Sequence, residues 1–500
     1  MFGTFMEVLD TTVVNVSLPH IAGSLSATVD EATWVLTSYL VANAIILPIT
    51  GWLANYFGRK NLLMMSLTGF TVASLLCGMA PNLPMLILFR LLQGACGGCM
   101  QPISQAVLLE AFPPEDRGKA MGFWGLGIVA APVLGPVLGG WLTDTMSWRW
   151  VFYINLPVGI ASILMTQRFI FDPSYIKRAS TRIDYWGIGM LAVWVGALQI
   201  ALDKGQEDDW LSSPRIVTMF VLFGVFLIAF IWREIVAAAP VVSLRVFKVR
   251  TYAVGVFLMT LLGFGLYGSL VILPIWLQTL LGYPSIQAGF ALAPRGLGSM
   301  LAMPLVGAFS SRIDNRKLLA CGLALCGCTM YSLSRLNLDV GYWDLFWPQF
   351  LQGVSLGMIF VPLTTVTMAP VPRENMGNAT SLFNLMRNIG GSMGIAATTA
   401  LTARYQQEHQ NYAIRHINVF NPRYNSMLAG LRSMFMAQGA DPVAANRRAL
   451  ASVYGMVQQQ TAMLTFVDVF RLLMMVFVVM LPLLFLLKKP PKGGPAAPAH

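Results

Sequence analysis

Charge is scarce in this chain. Asp, Glu, Lys and Arg supply only 11% of its 500 residues, against about 25% in soluble globular domains. That scarcity excludes a soluble enzyme, a nucleic-acid-binding domain and a disordered scaffold, each of which must present polar surface to water. Histidine is also rare: His20, His409, His416 and His500 are scattered too widely to form a zinc or acid–base cluster. No nucleophile elbow and no P-loop occurs. The six cysteines (Cys77, Cys96, Cys99, Cys321, Cys326, Cys328) all lie in apolar stretches, where a disulfide framework has no role. Cys96 and Cys99 have metal-like spacing, but without a histidine nearby they read as small packing residues. The acidic run Glu207–Asp208–Asp209 reads as a solvated loop face, so neither a metal nor another cofactor is expected.

Apolar length is abundant. Hydrophobic residues make up 56% of the chain, and a bilayer core requires roughly 20 of them per helix. Fourteen stretches qualify: 3–22, 34–55, 62–79, 84–109, 121–143, 150–170, 184–203, 214–233, 252–274, 286–309, 317–334, 343–368, 379–402 and 464–487. The expected fold class is therefore an all-α membrane protein. The first stretch is also the one signal-peptide candidate, but it holds Glu7 and Asp10, lacks a basic start and offers no convincing cleavage site, so it reads as a retained span. Its abrupt beginning suggests that the natural start lies upstream.

With the N-terminus inside, the short inner segments hold nineteen Lys and Arg and the short outer ones four: Arg149, Lys204, Arg215 and Arg335. This bias places both termini in the cytoplasm. The net charge of +11 is then topogenic and no sign of nucleic acid. One outer segment, 403–463, is long enough to escape the rule, and the tail KKPPKGGPAAPAH reads as a solvated end.

An internal repeat is visible. GWLANYFGRKN at 51–61 and GAFSSRIDNRK at 307–317 end spans 2 and 10 alike, at an offset of 256, while RLLQG at 90–94 and QFLQG at 349–353 agree at 259. Two matches at nearly one offset imply duplicated halves, the pattern of secondary transporters with a site between the halves. The expected divisions are a six-helix half at 1–175, two inserted spans at 176–245, a second six-helix half at 246–487 carrying the long outer segment 403–463, and a cytoplasmic tail at 488–500.

Charges inside spans cost roughly 2.5–3.5 kcal/mol each and need a partner or a water-filled cavity. Asp10 in span 1, with Glu7 one turn earlier, is a candidate proton carrier, and Arg90 in span 4 its charge partner. Arg295 and Arg387, near the middles of spans 10 and 13, are candidate substrate anchors facing a central cavity; the bland alternative for both is a structural bond to backbone carbonyls. Tyr39, Asn43, Asn15 and Gln93 are candidates to line that cavity, although amphipathic residues also collect at membrane interfaces. In span 5, GIVAAPVLGPVLGG (127–140) sets Ala131, Gly135 and Gly139 on one smooth face and Pro132, Pro136 and Gly140 beside it. Such a face suits close helix contact, here expected at a seam between moving halves.

At this point the motifs resemble a family. GWLANYFGRKN is similar to the loop signature between spans 2 and 3 of the major facilitator superfamily, in which Gly51, Asn55, Gly58, Arg59 and Lys60 are gating positions. RLLQGACGG resembles its span 4 motif. GIVAAPVLGPVLGG resembles its span 5 antiporter motif, with Gly127, Pro132, Gly135, Pro136, Gly139 and Gly140 as gating positions. LDTTVVNVSLP at 9–19 resembles span 1 of the fourteen-span drug:proton antiporter branch, of EmrB type. The resemblance runs over essentially the whole chain and implies the major facilitator fold, multidrug efflux driven by the proton gradient, an inner-membrane location and a periplasmic membrane-fusion adaptor. The family usually has Asp where this chain has Asn55, which removes one gating charge. A transporter of a specific metabolite, inward or outward, is the main alternative. A membrane-embedded transferase is the least favoured one, since no acid cluster or histidine base marks a membrane face. For the outer segment, Met427, Leu428, Leu431, Met434 and Phe435 fall at helical spacing, as do Leu450, Val453, Tyr454 and Val457, predicting two amphipathic helices outside the membrane that contact the adaptor or cap the transporter's own mouth.

Overall fold

Long helices and short turns account for nearly all of the chain in the computed structural model, which describes residues 1–113, 115–172, 184–237, 240–310, 312–415, 417–418 and 420–487. Lys177, Arg178, Arg182, His416 and the whole tail from Lys488 to His500 lie outside the described residues. The helices are α1 (Phe2–Ser24), α2 (Trp34–Phe57), α3 (Arg59–Met79), α4a (Leu83–Gly97) with α4b (Met100–Ala111), α5 (Arg117–Thr145), α6 (Asn155–Phe169), α7 (Tyr185–Lys204), α8 (Pro214–Val236), α9 (Arg250–Thr279), α10 (Ser285–Phe309), α11 (Asn315–Leu333), α12 (Tyr342–Met368), α13 (Met376–Ile414) and α14 (Pro442–Leu483). Each stands on one of the fourteen apolar stretches.

Eleven of the described helical segments are long and apolar enough to cross a membrane. Of the others, α1 carries Glu7 and Asp10, α11 opens with Arg316 and Lys317, and α13 carries Arg387 among many small and amide residues. Polar helices of this kind are tolerated where their polar side faces protein. Their ends are set locally. The side chains of Asn82, Asp184, Asp314 and Asp441 each accept a backbone N–H at the start of α4a, α7, α11 and α14. Gly58 turns the chain sharply between α2 and α3 at φ +85°, where a Cβ would stand 2.5 Å from Asp172 Oδ2. Span 4 runs from Leu83 to Ala111 with a short irregularity at Gly98–Cys99, and Gly94 and Gly98 press on the α2 backbone, a Cβ on them standing 2.3 Å from Tyr39 O and 2.7 Å from Asn43 O.

Packing repeats along the chain. α1 lies on α5 and α6 as α9 lies on α13 and α14; α2 lies on α4a as α10 lies on α12; α3 lies on α4a and α6 as α11 lies on α12 and α14. The glycines repeat this in detail: Gly94 meets the carbonyl of Tyr39, and Gly353 meets that of Arg295. Contacts of α5 with α10 and of α2 with α13 join the two sets, while α7 packs on α8, α2 and α13. Asp184 is ion-paired to Arg233 at 3.1 Å, tying the start of α7 to the end of α8. Burial pushes its carboxyl up, but the Arg233 hydrogen bond and the amides of Gly187 and Trp186 outweigh this and hold it below the usual carboxylate range.

The outer segment differs from expectation. Residues 403–414 continue α13 and 442–463 begin α14, so only Pro422–Ala437 forms a separate helix, packed on α14. The second amphipathic helix predicted around Leu450–Val457 is thus the N-terminal half of α14. Neither junction, at 402 or at 463, contains a Gly or Pro to stop a helix.

Candidate functional site

Two polar clusters are buried in the middle of the bundle. The first lies within the α1–α6 set. Asp10 (1% exposed) and Arg90 (0%) form an ion pair at 2.5 Å. Gln93 Nε2 and Asn155 Nδ2 donate to Asp10 Oδ1 at 3.0 and 2.7 Å, and Arg90 Nη1 also donates to Gln93 Oε1 at 2.8 Å. Asn155 is held in turn by Ser74 at 3.0 Å, and Ser74 by the Phe152 carbonyl at 2.8 Å. Arg90 Nε donates to Val35 O, and its guanidinium lies 4.2 Å from the centre of the Tyr39 ring. Two formal charges are thereby removed from water at once, the carboxylate accepting from Arg90, Gln93 and Asn155, while Arg90 Nη2 has no hydrogen-bond partner among the described residues.

The second cluster joins the two helix sets. Asn43 Nδ2 donates to Glu7 Oε1 at 2.8 Å, and Glu7 Oε2 has no hydrogen-bond partner among the described residues. Arg387 of α13 is near enough to act electrostatically on Glu7. Arg387 donates through Nη2 to Gln101 of α4b, leaving Nε and Nη1 without partners among the described residues. Asn384, one turn before Arg387, donates to Gln105 Oε1 at 2.6 Å. Carboxylate, guanidinium and amides from α1, α2, α4b and α13 therefore meet where the sets touch, with spare donors and a spare acceptor.

Near the basic loops the sets close together. A Cβ on Gly51 would stand 2.7 Å from Asn378, one on Gly118 2.7 Å from Ser310 and one on Gly122 2.5 Å from Met303 O. Thr380 donates to Pro102 O at 3.2 Å. Arg59 is buried in an ion pair with Glu110, and Lys60 reaches Gln167 O through Nζ and Asp172 Oδ1 through its backbone N–H, each at 2.8 Å. Asn55 is exposed beside this contact.

Several sequence expectations meet a different geometry. Arg295 and Arg387 have different partners: Arg295 lies among α9, α10 and α12, donating to Ser269 Oγ at 3.1 Å with its carbonyl against Gly353. Gly135 and Gly139 of α5 press on Thr12 and Val13 of α1, within one set; the α5 glycines at the seam are Gly118, Gly122 and Gly125. Gly127 meets only Phe5 Cβ, at 3.9 Å, and Gly140 has no neighbour within 4 Å. Pro132 and Pro136 lie inside α5 without ending it. Tyr39 lies against the Arg90 guanidinium and Gln93 donates to Asp10, so both belong to the first cluster, and Asn15 is exposed on α1. Sequence reading missed Asn155, Ser74, Gln101, Gln105 and Asn384. The available signal was amide residues inside spans, with Gln101 and Gln105 one helical turn apart.

Among the described residues no group of three or more His, Cys, Asp or Glu is placed to hold a metal. Glu207 pairs with Lys204 and Asp208 with Arg215 at the C-terminal end of α7. Asp468 pairs with both His409 and Arg471.

The chain is 38% identical over 493 residues to the "Fatty acid resistance protein FarB" of Neisseria gonorrhoeae, covering 98% of this chain and 95% of the relative. It is 35% identical over 499 residues to the "Multidrug export protein EmrB" of Escherichia coli, covering 99% and 96%, and 41% identical over 421 residues to that of Haemophilus influenzae, covering 84% and 82%. The human organic anion transporter MFSD10 (TETRAN) has the same fold, with a TM-score of 0.59 over 95% of this chain and 97% of its own at 14% identity. A profile of the Major Facilitator Superfamily matches residues 1–395, and with full-length relatives above 30% identity the chain belongs to that family of membrane transporters.

Proposed function

We propose that this chain is a proton-coupled antiporter that exports hydrophobic or amphipathic compounds, lipophilic weak acids among them, across the bacterial inner membrane. Proteins named for multidrug export and for fatty acid resistance are its relatives over nearly their whole length. The observation that carries the coupling is the buried Asp10–Arg90 pair: a carboxylate inside a span, opened to one side and then the other as the halves move, can take up a proton on one side and release it on the other. One proton moving down 100 mV releases about 2.3 kcal/mol, enough for a gradient of roughly 40-fold in a neutral substrate. In this reading residues 1–175 and 246–487 are the two moving halves, 176–245 are inserted, both termini are cytoplasmic, and the closed basic face is the inner gate. Arg387, with Gln101 and Asn43, anchors the polar end of the substrate.

A second reading makes Glu7 the proton carrier. It is favoured by the unpartnered Oε2 and by the position of Glu7 where the two sets meet. Substitution separates the two, as developed in the Discussion. For the substrate, Arg387→Gln is expected to weaken export of a lipophilic acid by about tenfold while a lipophilic cation is unaffected, since one charge-assisted hydrogen bond contributes about 1.5–3 kcal/mol. Equal loss for both substrates, measured in inverted vesicles, would make Arg387 structural.

The partner belongs to the same proposal. Phe420 is 90% exposed, and Tyr412, Met427, Met434 and Tyr454 are also exposed on the outer helices, an apolar surface that a periplasmic adaptor would cover. Replacing 403–463 by a short linker is expected to abolish co-purification with the adaptor while the membrane helices still fold. Unchanged co-purification would remove the adaptor from this surface.

A further inference from the structure

The α9–α14 set contains a counterpart of the Asp10–Arg90 cluster with the acid missing. Gly94 meets the carbonyl of Tyr39, and Gly353 meets that of Arg295, so Arg295 occupies in its set the backbone position of Tyr39. Gln349 and Gln352 stand relative to Gly353 as Arg90 and Gln93 stand relative to Gly94. Arg90 is paired with a carboxylate on the first helix of its set, and Arg295 donates to a hydroxyl on the first helix of its own, Ser269 of α9, at 3.1 Å. Arg295, Ser269, Gln349 and Gln352 are all at least 97% buried. Arg295 Nη1, Gln349 Nε2 and Oε1, and Gln352 Oε1 have no hydrogen-bond partner among the described residues.

Composition makes this a charge problem. The segments 250–279, 285–309 and 315–333 contain no Asp or Glu, Asp344 lies at the outer start of α12, and Glu408 and Asp468 are bonded to Arg404 and to His409 and Arg471. Arg295 makes no ion pair among the described residues. A guanidinium is charged at every physiological pH and cannot discharge to escape the cost of burial. A hydroxyl and amides can orient dipoles toward it but cannot neutralise it.

We infer that Arg295, with Ser269 and Gln349, binds a monovalent anion: either the carboxylate of a lipophilic acid or a small inorganic anion such as chloride. The site is separate from the Asp10 and Arg387 clusters and does not rest on their proposed roles. The test is thermal unfolding of the purified full chain at constant ionic strength in isethionate, replaced stepwise by chloride or octanoate, with octanamide as the uncharged control. An anion that binds only the folded state raises the midpoint, here by at least about 2 °C. A rise with chloride alone identifies the inorganic anion, and a rise with octanoate but not octanamide identifies the carboxylate. Either rise should vanish in Arg295→Gln. A flat response of the wild type to both anions, or a response that survives in Arg295→Gln, overturns the inference. Should Arg295→Gln fail to fold, Ser269→Asp decides, since it supplies an internal carboxylate beside Arg295: the protein should then be insensitive to anions, and retained sensitivity overturns the inference. Because unfolding is read without transport, a negative result here leaves proton coupling standing, and the reverse also holds.

Discussion

Asp10→Asn protein is expected to reach the membrane and bind substrate, yet under an imposed pH gradient its substrate gradient should collapse from roughly 40-fold to none. The amide can keep hydrogen bonds with Gln93 and Asn155, but it cannot carry the proton and cannot neutralise Arg90. Leaving one member of a buried pair alone costs about 3–5 kcal/mol, so the variant should also unfold at a lower temperature. The Asp10→Asn, Arg90→Gln double variant separates these effects: it should regain stability while remaining uncoupled. Glu7→Gln should retain most of the coupling. Proton-driven transport that survives Asp10→Asn and is lost in Glu7→Gln would transfer the carrier role to Glu7.

The second large effect concerns the seam. A valine at Gly122 would drive its Cβ to within 2.5 Å of Met303 O. Overpacking of this kind costs about 1–3 kcal/mol, which shifts a two-state balance by about 5- to 150-fold. Gly122→Val should therefore favour the form in which the basic ends of α5 and α10 separate. The readout is maleimide labelling of a cysteine at position 106, where the native alanine is 1% exposed, in a background with the other six cysteines replaced. Labelling should speed up in Gly122→Val and slow in Asn55→Asp, which introduces a carboxylate one turn after Gly51, the residue packed on the first turn of α13, where a helix favours negative charge. Unchanged labelling in both variants would show that this seam does not govern opening.

Membrane residence, the all-helical class, a long helix on each of the fourteen apolar stretches and the family were legible in the linear chain. A stretch of some 20 apolar residues has no stable place except a bilayer or a protein core, and the GWLANYFGRKN and RLLQG motifs carry their turns and close contacts locally. Asp10 and Arg90 could be paired because charges in spans are few and each needs a partner. The side on which a residue falls could not be read, because helix rotation and neighbours are set by packing. Arg295 and Arg387 look alike in sequence, yet one is enclosed within α9–α12 and the other faces Gln101 across the seam. Gly135 and Gly122 share one helix, yet one meets α1 and the other α10. Amides such as Asn155 and Gln105 stand out along the chain only as polar residues inside spans; the assembled bundle shows which groups they serve, Asp10 for Asn155 and Asn384 for Gln105.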